Sequence, residues 1–183
     1  NDSVEIHISI IKNGEFSQWI KNKVWVGHTI GVQGPMGSCV YKQQKQKPLL
    51  LCAIGTGIAP IYGIIQDAVV SGHQQDIHVL YYATRYKDFY LLEQLKLLNK
   101  QHSNIKLHFI TKMNTGLDSC KANIDEYINS KFEELNDYVA YVCGINSFVQ
   151  KTKKALLLKG LSMVDFNSEI FLDFENEKCE TKI

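Results

Sequence analysis

The sequence predicts an α/β fold, a doubly wound five-stranded parallel sheet preceded by a few antiparallel strands. Three observations predict it. Apolar runs with little polar alternation recur through the chain at Leu49 to Ile54, Asp76 to Ala83, Ile105 to Ile110 and Val139 to Cys143, and Glu169 to Phe174 reads as a fifth strand. Such runs suit strands covered on both faces, the habit of parallel sheets. Between them lie amphipathic segments of helical length, so strand and helix alternate. Before them, Val4, Ile6, Ile8 and Ile10 alternate with Glu5, His7 and Ser9, the pattern of a half-buried antiparallel strand.

Bulk composition narrows the function classes. A chain of 183 residues that is 45% hydrophobic can bury a real core. A net charge of +1 gives no general attraction to nucleic acid, and the lysines 42, 45 and 47 lie among glutamines, as in a solvated loop. The cysteines at 39, 52, 120, 143 and 179 form no CxxC pair and have no histidine at ligand spacing, so no metal site is expected. Scattered thiols in odd number suit a reducing, cytoplasmic setting, and no run reaches the length of a membrane span.

In chain order, Lys12-Asn13-Gly14 is a turn, after which Ser17 is expected to open a short helix that carries Trp19 and Ile20 inward. Thr29 to Gln33 is a further strand, ending in Gly34-Pro35-Met36-Gly37. The run from Leu49 leads straight into Gly55-Thr56-Gly57-Ile58-Ala59-Pro60 and an amphipathic segment to Gly72, which reads as strand, tight turn and helix. Gly55 and Gly57 permit close approach to the backbone, and Pro60 falls in the first helical turn, where proline costs no hydrogen bond. Free amides at such a helix start favour a phosphate, although two glycines also suit a plain strand-to-helix turn.

Arg85, the sole arginine of the chain, follows the second apolar strand. A planar guanidinium where lysine serves every other cationic position suggests a grip on phosphate or a ring, or else a surface residue of no account. A leucine-rich helix runs to about Lys100, and the third strand leads to Thr111-Lys112 and the turn Asn114-Thr115-Gly116. A short helix spans Ala122 to Phe132. The fourth strand ends in Cys143-Gly144-Ile145-Asn146-Ser147-Phe148, and a helix over Ser147 to Lys159 closes at Gly160. By composition alone Cys143 is a small buried hydrophobe.

Gly55-Thr56-Gly57-Ile58-Ala59-Pro60 resembles the GGTGxAP nucleotide motif of the ferredoxin reductase-like flavoproteins, with Ile54 in place of the first glycine. Cys143-Gly144, followed by Phe148, resembles the CG-x-x-x-(M/F) motif of the same superfamily. Two motifs in the right order, roughly 90 residues apart, agree by accident far less often than either alone. The resemblance extends to the opening block: Gly14, Phe16 and Ser17 match a G-x-x-S/T turn that holds the flavin pyrophosphate, and Gly34-Pro35-Met36-Gly37 matches the linker after the flavin barrel. The arginine-aromatic-serine motif for the flavin ring is missing, and the opening strands are too few to close a barrel.

The resemblance implies that residues 1–40 are the C-terminal part of an incomplete FAD-binding barrel, residues 46–175 an NAD(P)-binding domain and residues 176–183 a polar tail. It implies hydride transfer from NAD(P)H to flavin, with electrons passed to an iron-sulfur protein or a fused ferredoxin domain. Gly55, Thr56, Gly57 and Pro60 would seat the pyrophosphate and ribose, Arg85 and Lys112 the adenosine end, and Cys143 with Gly144 the nicotinamide. Phe174 would approach the flavin ring or close a core. NADH and NADPH both stay open. The alternatives are a reductase of unanchored flavin or ferric ion and a flavin-free nucleotide-binding module. No Ser/His/Asp arrangement or carboxylate pair supports a hydrolase.

Overall fold

The computed structural model describes residues 3–34, 36–42, 47–113 and 118–171. It divides into two units, residues 1–38 and 39–183. In the first, helix α1 (Glu15–Lys23) follows a turn in which the Gly14 amide donates to the Ile11 carbonyl at 3.1 Å. Ser17 does not open this helix. It lies inside α1 and is buried, its hydroxyl accepting from the Ile11 amide at 3.0 Å and donating to the Ser9 carbonyl at 3.3 Å. The hydroxyl thus fastens the preceding segment to the helix, a use that competes with capping.

The antiparallel strands expected over Val4 to Ile10 and Thr29 to Gln33 form no ladder among the described residues. Alternation says which side chains would share a face, but a strand also needs a neighbour to take its backbone bonds. Val4 is 83% exposed, and Ile6, Ile10 and Val32 are exposed as well.

The second unit is built on six parallel strands, β1 (Leu49–Ile54), β2 (Ile77–Ala83), β3 (Ile105–Thr111), β4 (Ser119–Lys121), β5 (Val139–Ile145) and β6 (Phe166–Phe171), in the order β4-β3-β2-β1-β5-β6. The expected parallel, doubly wound sheet therefore has one strand more than five. The extra strand, Ser119-Cys120-Lys121, is three polar or small residues on an edge and has no apolar run to announce it. The last strand begins at Phe166, three residues before the expected start, because Asn167 and Ser168 pair with Tyr141 and Val142 on a sheet edge where polar side chains reach water. Residues 172–174, including Phe174, lie outside the described residues.

Helices α2 (Ile58–Val70) and α3 (Leu92–Gln101) cover one face, and α4 (Ile124–Lys131) and α5 (Asn146–Leu158) the other. Alternate residues of the inner strands separate accordingly. Leu49, Leu51 and Ala53 pack with Ile61, Ile65 and Leu95, whereas Leu50 and Cys52 pack with Ile128, Val149 and Leu156. Both faces of β1 are dry, which explains its unbroken apolar run. Among the described residues no helix is long and apolar enough to cross a membrane.

Candidate functional site: the switch point between β1 and β5

Strands β1 to β4 succeed one another in one direction across the sheet, and β5 and β6 lie on the other side of β1. The loops after β1 and β5 therefore diverge to opposite faces and leave a crevice at the carboxyl ends of the strands, the place where open α/β sheets bind ligands. Gly55 to Pro60 follows β1, and Cys143 and Gly144 lie near the end of β5.

These two segments touch. Ala53 is in register with Cys143. A Cβ on Gly57 would lie 2.6 Å from the Cys143 carbonyl carbon and 3.1 Å from the Gly144 amide nitrogen, so no larger residue fits between the turn and β5. Gly144 has φ 150°, and a Cβ there would run into the Ile54 side chain. Glycine at both positions is required by space, and at Gly144 also by backbone conformation.

Gly55 to Gly57 forms one tight 3-10 turn, whose Gly55 and Thr56 carbonyls accept from the Ile58 amide. No side chain caps the start of α2, although its first amide, that of Ile58, is spent on the turn and Pro60 has none. Pro60, third residue of α2, sits in that first turn. From below, the buried Tyr81 hydroxyl donates to the Gly55 carbonyl at 3.3 Å and accepts from the Tyr90 amide at 3.4 Å. Burial pushes the Tyr81 phenol well up, so it stays a neutral donor.

Arg85 and Lys112 follow β2 and β3 on the same edge of the sheet. The Arg85 fork grips Asp88, from Nε to Oδ2 at 3.1 Å and from Nη2 to Oδ1 at 3.1 Å. That contact holds the Asp88 carboxyl below the usual carboxylate range. Lys112 is exposed, and its amide donates to the Ala83 carbonyl at 3.0 Å, which ties the ends of β3 and β2 together.

Cys143 is fully buried in the cluster beneath α2. Its Sγ stands 3.7 Å from the Sγ of Cys39, and Glu169 is its register partner on β6. The contact with Cys39 raises the Cys143 thiol far above the ordinary range and lowers that of Cys39, as when one thiol donates to its neighbour. Gly14, Phe16 and Ser17 belong to the first unit. There Phe16 is exposed, while the Gly14 amide and the Ser17 hydroxyl proton are already taken by Ile11 and Ser9.

Sequence reasoning missed Tyr81, Cys39 and Glu169. Tyr81 is hidden in an apolar run, and the two thiols meet across 104 residues, so no local spacing announced either.

A sheet wound in this order with a glycine turn at its switch point defines a dinucleotide-binding α/β domain. Residues 50–154 match the family described as the oxidoreductase NAD-binding domain, and the chain belongs to that family, among the ferredoxin reductase-like flavoproteins. It is 28% identical over 173 residues to terephthalate 1,2-dioxygenase, reductase component 1, of Comamonas sp, covering 93% of this chain and 51% of that protein. It is 28% identical over 152 residues to the ferredoxin--NAD(P)(+) reductase component of the naphthalene 1,2-dioxygenase system of Pseudomonas putida, covering 82% of this chain and 46% of that protein. The chain thus spans about half the length of these relatives. Among solved structures, the flavohem-like FAD/NAD-binding domain of nitric oxide dioxygenase from Vibrio cholerae superposes with a TM-score of 0.73 at 20% identity, covering 86% of this chain and 65% of that one. The ferredoxin reductase in carbazole 1,9a-dioxygenase gives 0.73 at 17%, covering 90% and 50%.

Proposed function

We propose that this chain is the coenzyme-binding part of an NAD(P)H-dependent flavoprotein oxidoreductase, with residues 1–40 derived from the end of the flavin barrel and 46–175 forming the NAD(P) domain. The observation that carries the reading is the contact of Gly57 with Cys143 and Gly144 at the switch point of the sheet. It sets the bare backbone of the turn against the glycine end of β5, which suits a pyrophosphate beside a flat ring.

The bare backbone of the turn Gly55-Thr56-Gly57 seats the pyrophosphate and nicotinamide ribose, and Pro60 stiffens the helix start behind it. Tyr81 fixes the turn from below. Cys143 and Gly144 border the nicotinamide, and the missing side chain of Gly144 lets the end of β5 lie close against Ile54. At the adenosine end Arg85 offers the guanidinium edge that Asp88 leaves open, and Lys112 supplies a cation for either coenzyme. These residues orient and desolvate; none acts as an acid or base.

Residues Gly14, Phe16 and Ser17 do not fit a flavin seat in this structure, since the Ser17 proton and the Gly14 amide are already bonded within the unit. The chemistry implied for the whole enzyme is hydride transfer from NAD(P)H to flavin, with an iron-sulfur protein or a fused ferredoxin domain as electron acceptor, and this chain's share of it would be to hold the coenzyme. The bonding of Ser17 favours a second reading, in which flavin is a diffusing substrate rather than a resident group.

Titration of the purified chain with NADH, NADPH and FAD tests both. Coenzyme binding at micromolar concentration, with FAD bound only weakly, is the expected result. Failure of both reduced coenzymes to bind overturns the coenzyme reading, and tight retention of FAD overturns the second.

A further inference from the structure

We infer that Cys39, Cys143 and Glu169 form a three-ligand site for a thiophilic divalent cation of the Zn²⁺ class. The two sulfurs and a Glu169 carboxylate oxygen all lie within 4.8 Å of one another. The sulfurs are 3.7 Å apart. With Zn–S bonds of about 2.3 Å and tetrahedral angles, two thiolates on one zinc stand about 3.8 Å apart, so the pair is already spaced as the edge of a coordination tetrahedron. A disulfide would demand sulfurs at about 2.05 Å, a far larger movement for a thiol set in a central strand.

The fold builds this cluster from three separate places. Cys143 and Glu169 are register partners on adjacent parallel strands, which sets both side chains on one face of the sheet. Cys39 enters from the segment before β1, where the Lys42 amide donates to the Tyr141 hydroxyl at 3.1 Å and holds that segment against β5. Lys42, on the same segment, turns its Nζ to Asn167 Oδ1 at 3.1 Å.

The ligand chemistry also agrees. Metal binding requires thiolates, so the ion would bind with release of the thiol protons. Two sulfurs and one carboxylate suit Zn²⁺ or Cd²⁺ over Mg²⁺ and Ca²⁺, which take oxygen ligands.

Binding of the ion stands apart from the proposed function. Its consequence rests on that reading: an ion on Cys143 would occupy the nicotinamide side of the crevice and compete with the coenzyme.

Co²⁺ serves as the probe, titrated into the reduced chain under argon with Cys120 and Cys179 replaced by serine. One ion per chain is expected, with thiolate-to-cobalt charge-transfer absorption in the near ultraviolet and the visible bands of tetrahedral cobalt, both displaced by Zn²⁺. Cys39→Ser and Glu169→Ala should each weaken binding by at least the roughly 10- to 100-fold that loss of an outer contact costs a metal site. Glu169 is exposed, so its variant folds and carries the test if Cys39→Ser does not. Cobalt spectra without thiolate bands, or affinities unchanged in Glu169→Ala, overturn the site. Zn²⁺ binding with no effect on NADH affinity would refute the competition and leave the coenzyme reading intact.

Discussion

A methyl group at Gly57 would have to displace the backbone of Cys143, which cannot yield as a flexible side chain does. Overpacking of this kind costs on the order of 1–3 kcal/mol, and here it also forces the glycine turn away from β5. Gly57→Ala is therefore expected to lower the urea midpoint and to weaken NADH binding together. Loss of stability with unchanged coenzyme affinity would mean that the crevice is not where the coenzyme sits.

A second residue-scale effect concerns the histidines between β2 and β3. His78 Nδ1 and His108 Nε2 are 3.0 Å apart, and His108 Nδ1 lies 2.8 Å from the Tyr127 hydroxyl. Burial, then His78, Lys131 and Lys106, hold His108 down to about 4, and burial also lowers His78 despite Asp76. Each folded value is below the unfolded one, so the native state binds fewer protons as pH falls below about 6.5 and loses stability down through about 4. At 1.36 kcal/mol per pH unit, and discounted for partial exposure, His108 accounts for roughly 2 kcal/mol. Urea unfolding at about pH 7 and about pH 4.5 should show that loss, and His108→Gln should reduce it. An equal loss in the variant would assign the effect to carboxylates instead.

At the scale of elements, burial ranks the strands. Leu50 and Leu51 on β1 are fully buried and belong to opposite faces, whereas Ile170 on the edge strand β6 is 43% exposed. Leu50→Ala and Leu51→Ala are each expected to cost about 2–5 kcal/mol. Ile170→Ala should cost under about 1 kcal/mol. Equal costs in urea denaturation for the central and edge positions would contradict the layered packing.

The same difference explains what could be read in advance. Leu49 to Ile54 announced itself because both faces are apolar, and the turn at Gly55 to Pro60 because close approach excludes other residues. Ser119 to Lys121 was silent because an edge strand of three residues makes few demands on its side chains. Val4 to Ile10 misled because periodicity records a preference for burial and says nothing of where the neighbouring strand comes from. The pairing of Cys39 with Cys143 is a product of topology, visible only once the segment before β1 is placed against β5.

At the scale of the whole molecule, the proposed coenzyme binds one unit, and the two units can be followed separately. Both tryptophans, Trp19 and Trp25, lie in residues 1–38, whereas all six strands lie in residues 39–183. Tryptophan emission therefore reports the first unit, and far-ultraviolet dichroism mainly the second. A ligand that binds only the folded state stabilises it by RT ln(1 + [L]/Kd), about 2.7 kcal/mol at a hundredfold excess over Kd. NADH or NADPH at a hundredfold excess over Kd is expected to raise the unfolding free energy followed by dichroism by that amount, and the coenzyme giving the larger shift at equal concentration is the one bound more tightly. The stabilisation needs neither flavin nor an electron acceptor, so it isolates the coenzyme step from the rest of the proposed reaction. Unmoved dichroism with both coenzymes would leave the crevice between β1 and β5 without its proposed ligand, whatever the tryptophan signal did.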